Sequence, residues 1–308
     1  EGQNMGVLGI DVLMILFALA ANVHGLAPIY GRFGTVGQAG YILFSCLYML
    51  ASFVPDRMSR LARVAILALL IGWTVYCPTM FFVNQRLGGQ PHESVHDNVL
   101  QVEAAGHFLL AGKNPYQQTY HDTPLADWPY DKGDENPSLY YTVSLPFQHL
   151  SAALALLVMQ ATVGWFDLRL LYLALYPLLL LGAAGLAGQT FERRMAPIVV
   201  VGLNPLLYPF IHEGRNDIVM LTGVLLSFWL LREKRLYLSG IALGLAMASK
   251  HTAWPLFPFY LLLCAGWPMR RNARLLAPVA ALATFALIVV PFILWDANAF
   301  FRSTLGYI

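Results

Sequence analysis

The sequence predicts an all-α polytopic membrane protein, a helical bundle with a large outer loop that carries juxtamembrane helices. Of its 308 residues, 58% are hydrophobic and only 12% are charged, against about 25% charged in an ordinary soluble domain. Mean hydropathy is +0.58. Apolar runs recur along the chain, several of them close to the roughly 20 residues that a spanning helix needs. These three observations exclude a soluble globular enzyme and a disordered chain.

Charge and cysteine content exclude two further classes. A net charge of +2 provides no basic face for releasing counterions from phosphates, so we expect no nucleic-acid partner. The three cysteines lie singly within apolar runs, which indicates neither a disulfide framework nor a zinc site. We therefore expect an integral, multi-pass membrane protein, in contact with membrane lipids.

The candidate helices follow from the apolar runs. They cover residues 6–27, 36–54, 64–83, 139–163, 168–188, 195–211, 217–231, 236–249, 253–267 and 275–295. Several are short, which indicates tilt or helices that end inside the protein. An apolar run close to Ile308 leads us to expect further membrane helices beyond it. We treat 1–308 as a single membrane domain, truncated at its C-terminus.

Basic residues orient the bundle, because cytoplasmic loops are enriched in Lys and Arg. This rule places 84–136, 212–217 and 250–252 outside. The assignments agree if either 139–163 or 168–188 does not cross. We predict that 139–163 is juxtamembrane or re-entrant, because it contains a proline, a glutamine and a histidine. The alternative is that the rule fails at one loop. The basic clusters that mark the cytoplasmic loops are Arg57/Arg60/Arg63, Arg193/Arg194, Arg232/Lys234/Arg235 and Arg270/Arg271/Arg274.

The outer loop is the first concentration of polar residues. Between Asn84 and Asn136 lie 8 of the 17 acidic residues and 4 of the 8 histidines, against 3 basic residues. Asp97 comes directly before residues 98–111, in which apolar residues recur at helical spacing. Gly112 and Asn114-Pro115 then indicate the end of the helix and a turn. The spacing predicts an amphipathic helix along the membrane surface. Asp97 is then either its N-cap or a functional carboxylate.

Two further polar islands interrupt the later apolar runs, at 212–217 and at 249–252. Ionisable residues at membrane depth are costly and by default mark a functional site. Arg215 and Lys250 suit an anionic lipid phosphate, and a carboxylate such as Asp97 can take the proton of a sugar hydroxyl. The alternatives are that Arg215 pairs with Glu213 or Asp217 and that Lys250 extends to the interface.

Three motifs in order resemble glycosyltransferase family 87, whose members are polyprenol-phosphate-mannose-dependent α-1,2-mannosyltransferases with the membrane GT-C fold. The resemblance spans about residues 97–295. The motifs are Asp97 followed by Glu103–Tyr116, then Asn204-Pro205 with Gly214-Arg215-Asn216-Asp217, then Ser239–Ala246 leading to Lys250, Pro255 and Pro258.

The resemblance implies an inverting transfer of a mannose-like sugar from a polyprenyl phosphate to a hydroxyl of a lipid, glycan or protein on the outer face. Asp97 is implied as the general base, and Arg215, Lys250 and His251 as ligands of the donor phosphate. His212 is a second phosphate-ligand candidate. The substrate-binding candidates are Glu103, Asn114, Tyr116, His212, Asn216 and Asp217. The implied organisation is an outer catalytic loop and juxtamembrane segment over 84–163 and a helical core over 164–308.

The chain departs from the family pattern in two places. An additional helix pair within 1–63 precedes the first expected helix, and Glu135–Tyr141 replaces a Tyr-Pro-Pro-like segment. Five acids also exceed what the mechanism needs; we expect a solvated surface with no cofactor, the alternative being a divalent cation site. They are Asp122, Asp127, Asp131, Asp134 and Glu135. Two other functions stay open: a transporter or flippase of lipid-linked sugars, and a non-catalytic subunit that retains the fold.

Overall fold

The structure, a computed structural model, describes residues 9–25, 34–54, 56–89, 95–130, 135–266 and 271–306. These residues form helices and irregular segments and contain no strand, so the predicted all-α class is confirmed. The helices are α1 (Ile10–Gly25), α2 (Gly34–Ala51), α3 (Asp56–Ile71), α4 (Cys77–Leu87), α5 (Asp97–Leu110), α6 (Pro146–Val163), α7 (Arg169–Leu186), α8 (Phe191–Gly202), α9 (Tyr208–Glu213), α10 (Asp217–Arg232), α11 (Leu236–Ser249), α12 (Leu256–Gly266), α13 (Arg271–Trp295) and α14 (Ala297–Thr304).

Four of the described helices are long and apolar enough to cross a membrane: Met58–Leu87, Pro146–Val163, Arg169–Leu186 and Arg274–Trp295. The first is continuous through a π-helical turn, Gly72–Tyr76, which joins α3 to α4. Since α6 has the length and composition of a span, the juxtamembrane placement of 139–163 stays a prediction.

The chain divides into two compact units. The first comes from Glu1–Phe82 and Ala183–His212. Its interior holds a buried ion pair in which Arg63 Nη1 lies 2.8 Å from Asp11 Oδ2, an oxygen that also accepts a hydrogen bond from the Tyr48 hydroxyl at 2.7 Å. Two charges taken from water need such direct pairing. This pair therefore joins α1, α2 and α3.

The second unit comes from Val83–Gly182 and Glu213–Ile308. Glycines allow its helices to approach closely: a Cβ on Gly106 of α5 would lie 3.1 Å from the backbone nitrogen of Ala153 in α6. On α11, Cβ atoms on Gly240 and Gly244 would meet the carbonyl oxygens of α13. Small residues are the usual means of packing helices in lipid, where burial against lipid tails gives little driving force.

The polar segment that begins α5 and leads to Asn114, predicted to be an outer loop, has the local structure that its sequence predicts. Helix α5 spans Asp97–Leu110, against an expected 98–111. Asn114 then opens a 3-10 turn, its Oδ1 accepting a hydrogen bond from the backbone nitrogen of Tyr116 at 3.1 Å. The expected helix and turn are confirmed. The wider division into 1–63, 84–163 and 164–308 stays a prediction.

Candidate active site

Asp97 is the first residue of α5, and its carboxylate is only partly buried, with 17% of the side chain exposed. Asn136 Nδ2 and Ser138 Oγ each donate to Oδ2 at 3.4 Å. Burial raises the pKa of Asp97, but hydrogen bonds from His96 and Asn136 outweigh it, so the pKa lies below its ordinary value. The carboxylate is thus ionised at neutral pH and open to an incoming group.

His96 precedes Asp97 and occupies the N-cap position of the helix. Its Nδ1 lies 2.7 Å from Asp97 Oδ1 and 3.2 Å from the backbone nitrogen of Asn98. One ring nitrogen cannot donate to the carboxylate and accept from the amide at the same time. We favour donation to Asp97, because that contact is shorter and assisted by charge. The N-cap position belongs to His96 and not to Asp97.

A chain of polar side chains connects α5 to the start of α10. Asn98 Nδ2 donates to Ser144 Oγ at 3.1 Å, and Asn216 Nδ2 approaches the same hydroxyl at 3.4 Å. Gln148 Nε2 donates to the Asn216 carbonyl at 3.3 Å. Ser144, Gln148 and Asn216 are all buried. The network therefore links the outer loop to the second polar island by direct contacts.

The third polar island joins the same network. Lys250, which follows α11, places Nζ 2.6 Å from Asp217 Oδ1 and 3.3 Å from Asn216 Oδ1. Its side chain is 31% exposed. An ammonium group has three donors, of which these contacts use two. Lys250 is thus held at the partly open end of α10.

The segment between α9 and α10 is shaped by Gly214. Its φ is +79°, and a Cβ would overlap Val99 Cγ2 and lie 3.0 Å from Arg169 Cγ. The preceding Glu213 carbonyl accepts the backbone N–H of His96 at 2.8 Å. Arg215 Nε donates to Glu213 Oε2 at 2.7 Å, and both side chains are more than a third exposed. One of the two pairings expected for Arg215 is therefore present.

Glu103 lies in a buried cluster of four charged side chains. Arg86 Nη1 donates to Glu103 Oε1 at 3.0 Å and to Asp167 Oδ2 at 3.0 Å. Arg169, fully buried, donates to Asp167 through Nε at 3.0 Å and Nη2 at 2.8 Å. The backbone nitrogen of Leu168 donates to Glu103 Oε1 at 2.8 Å. Two carboxylates and two guanidinium groups thus neutralise each other inside the second unit.

The remaining candidates are Asn114, Tyr116, His251 and His212, of which Tyr116 contacts the backbone of Ser144 in the network. Asn114 and Tyr116 are buried, and the Tyr116 hydroxyl donates to the Ser144 carbonyl at 2.9 Å; burial raises its pKa. His251 packs on Trp254 with ring centroids 4.7 Å apart, and burial lowers its pKa, which favours the neutral ring. His212 belongs to the first unit, where Nε2 lies 3.2 Å from the Thr74 carbonyl.

A large apolar cavity of about 830 Å³ opens among α6, α7, α10, α11 and α13. Its lining includes Phe147 of α6, the neighbour of Gln148 in the chain, and Val219 of α10, two residues beyond Asp217.

The structure offers no metal cluster among the residues that it describes. Asp122 and Asp127 are exposed, and Glu135 is exposed with Oε2 accepting from the Tyr140 hydroxyl at 2.6 Å. Asp131 and Asp134 lie outside the described residues, so the cation alternative for the five acids is untested.

Four residues of the site and of the buried charge cluster were not predicted from the sequence. No spacing sets apart His96 and Ser144 of the site or Asp167 and Arg169 of the cluster. The only available signal was an Asp and an Arg directly before the apolar run of α7, where charges are costly.

One family model matches the chain and, with the apolar helices, identifies it as a membrane glycosyltransferase. The chain belongs to the MptA/B family, described as alpha-(1→6)-mannopyranosyltransferase, N-terminal domain, whose model matches residues 103–266, just over half of the 308. It is therefore of mannosyltransferase type. Glycosyltransferase family 87 and α-1,2 specificity are not confirmed. No curated protein and no solved structure matches the chain.

Proposed function

We propose that the chain transfers a mannose from a polyprenyl-phosphate donor to a hydroxyl acceptor on the outer face of a bacterial plasma membrane, as GT-C enzymes do. The observation that carries the proposal is the chain of contacts from α5 to Lys250. A partly exposed carboxylate, Asp97, precedes Asn98 directly, and Asn98 leads through Ser144 and Asn216 to a partly exposed ammonium. Base and cation are the two groups that such a reaction requires.

The donor is supported by the large apolar cavity beside the network. A polyprenyl phosphate has a long apolar tail and an anionic head. The cavity is lined mainly by leucine, valine and alanine side chains, and one lining residue, Val219, is two positions from Asp217, the partner of Lys250. Burying a tail there removes apolar surface from water at about 25 cal/mol per Å². The head group would then lie toward Asp217 and Lys250.

The cations are paired in the absence of a donor, but weakly. Lys250 with Asp217 and Arg215 with Glu213 are partly exposed pairs, and exposed pairs contribute only about 0–1 kcal/mol. The phosphate of a bound donor can replace the carboxylate partner of one or both cations at a small cost in free energy. In the proposal His251 and His212 are further phosphate ligands, and Glu103, Asn114, Tyr116, Asn216 and Asp217 shape the substrate site.

The proposed step is a single inverting displacement. The acceptor oxygen attacks the anomeric carbon as Asp97 takes its proton, and the bond from that carbon to the phosphate oxygen breaks with its electron pair leaving on the phosphate. Lys250 and Arg215 stabilise the charge that develops on the leaving phosphate. The mechanism itself requires no metal.

The linkage follows the family description in the proposal, so the product is α-(1→6). Purified protein is supplied with polyprenyl-phosphate-mannose, -glucose and -arabinose and with a membrane lipid and glycan extract. We expect mannose transfer by wild type and by Asp127→Asn, an exposed acid of the same loop, and at least a hundredfold loss in Asp97→Asn. Full activity of Asp97→Asn would refute the assignment of the base, and an α-1,2 product would refute the linkage.

A further inference from the structure

We propose that the basic side chains where α8 begins form a binding site for the headgroup of an anionic phospholipid. The site lies within the first unit. It is independent of the proposed reaction and shares no residue with it. The site is formed by Arg193 and Arg194 of α8 and by Arg60 of α3, three exposed arginines from two of the basic clusters that the sequence predicts to be cytoplasmic.

The two arginines of α8 fold back over the segment that precedes the helix. A Cβ on Gly188 would lie 2.7 Å from Cδ of Arg193 and 3.5 Å from its Nη1, so this side chain runs across the glycine. Arg194 Nη2 donates to Gln189 Oε1 at 2.9 Å. Both guanidinium groups are therefore gathered beside the first turn of α8, where the helix dipole has its positive end.

A third cation approaches from α3. The guanidinium carbon of Arg60 lies 5.9 Å from the ring centroid of Phe191, the first residue of α8, and that of Arg63 lies 4.6 Å from it. Arg63 is buried and is neutralised by Asp11, whereas Arg60 is exposed. The aromatic ring therefore holds Arg60 beside the start of α8 without cancelling its charge.

This face has an excess of positive charge. The carboxylate in the first turn of α8 belongs to Glu192, which lies 3.6 Å from Nη2 of the buried Arg63. Among the residues that the structure describes, no ion pair joins a carboxylate to the three exposed arginines. A phosphate at this place would thus meet three cations whose charge no acidic side chain has already neutralised.

The surroundings favour a lipid over a soluble anion. Arg60 lies in the first turn of Met58–Leu87, one of the segments long and apolar enough to cross a membrane. Its neighbours along α3 present apolar surface, since Met58, Leu61 and Val64 are 76%, 68% and 46% exposed. A phospholipid carries its phosphate directly above its acyl chains, which matches cations at the end of an apolar span. Basic sites between helices at the cytoplasmic side bind such headgroups.

The test measures lipid binding to the full chain. The purified protein in mild detergent is titrated with phosphatidylglycerol or with phosphatidylcholine of the same acyl chains, and bound lipid is followed by native mass spectrometry. We expect phosphatidylglycerol to bind at least tenfold more tightly. Each arginine near an anionic membrane surface contributes about fivefold. Arg193→Gln with Arg194→Gln should therefore weaken phosphatidylglycerol binding at least tenfold and leave phosphatidylcholine binding within twofold of wild type.

Two further variants separate a defined site from diffuse attraction. Gly188→Ala keeps the net charge but places a methyl group 2.7 Å from Arg193 Cδ, so this exposed side chain must move. We expect phosphatidylglycerol binding at least threefold weaker than in wild type. The matched control is Lys234→Gln with Arg235→Gln, which removes two exposed cations between α10 and α11. It should leave binding within twofold of wild type.

Equal affinity for the two lipids, or equal losses in the two double variants, would overturn the proposal, because the attraction would then be unspecific. Displacement of the lipid by an equal concentration of glycerol 3-phosphate would also overturn it, because the site would then take a soluble anion. So would full binding in Gly188→Ala, since the folded-back arginine would not be a ligand. Mannose transfer enters none of these results, so this site and the proposed function can fail separately.

Discussion

Replacing Gly214 with alanine tests how the active-site segment is held. The residue lies between Glu213 and Arg215 with φ at +79°, and its Cα faces Val99 of α5 and the stem of Arg169. Two costs add. The left-handed backbone costs an L-residue about 1–2 kcal/mol, and forcing a methyl group into packed side chains costs about 1–3 kcal/mol. We expect Gly214→Ala to lower the free energy of unfolding by about 2–5 kcal/mol.

Gly112 is the matched control for the backbone term. Its φ is +72°, but a Cβ there would meet nothing within 4 Å. Gly112→Ala should therefore lose only the backbone part, about 1–2 kcal/mol. Adding Val99→Ala to Gly214→Ala removes the overlapping methyl group and should recover part of the loss, a coupling that a double-mutant cycle measures.

The free energy is measured by titration with a denaturing detergent, and mannose transfer is assayed on the same samples. Gly214→Ala should also lose transfer, because it displaces the carbonyl that holds His96 and the start of α10. If Gly112→Ala proves as destabilising as Gly214→Ala, or if Val99→Ala gives no relief, the packing argument is wrong.

Three further variants test the charged groups. Arg86→Met should cost about 3–5 kcal/mol, because it leaves buried carboxylates uncompensated, whereas Arg86→Met with Glu103→Leu should recover most of that stability; additive losses in the same detergent titration would contradict the cluster. Hydrogen bonds hold the pKa of Asp97 below its ordinary value despite burial. The contribution of this carboxylate to the free energy of unfolding is therefore complete above its unfolded-state pKa of about 3.9 and is lost as the pH falls through its folded-state pKa. The stability difference between wild type and Asp97→Asn should thus be present at about pH 5 and shrink as the buffer is acidified further; a difference that grows on acidification below about pH 5 would refute the reasoning. Lys250→Met should raise the KM for the donor at least tenfold, whereas Lys113→Met should not. Equal kinetic effects of the two substitutions would refute the assignment of Lys250 as a ligand of the donor phosphate.

The helical fold was predictable because composition and apolar periodicity determine it directly. The start of α5 at Asp97 and the turn at Asn114 follow from local signals: an apolar spacing, a glycine and an Asn-Pro pair. Such signals act within a few residues and do not depend on tertiary contacts. Length and composition alone did not settle whether α6 crosses the membrane, because orientation depends on neighbouring spans.

The site was predictable only in outline. Asp97, Asn216 and Lys250 stood out as polar residues beside apolar runs; in the structure Asn98, the neighbour of Asp97, is connected to Asn216 and Lys250. The link itself is Ser144, a residue whose type is common and whose position before α6 carries no pattern. The role of His96 could not be predicted either, because its backbone N–H donates to the carbonyl of Glu213, which is more than a hundred residues away in the chain.

The close packing of α11 against α13 also fixes the position of Lys250. Gly240 and Gly244 place α11 in backbone contact with α13, and Lys250 lies six residues beyond Gly244, about 9 Å along the axis. A side chain at either glycine would meet a carbonyl oxygen of α13, so α11 would have to move away and Lys250 would move with it. If Lys250 binds the donor as proposed, two glycines that touch no substrate would therefore control donor affinity.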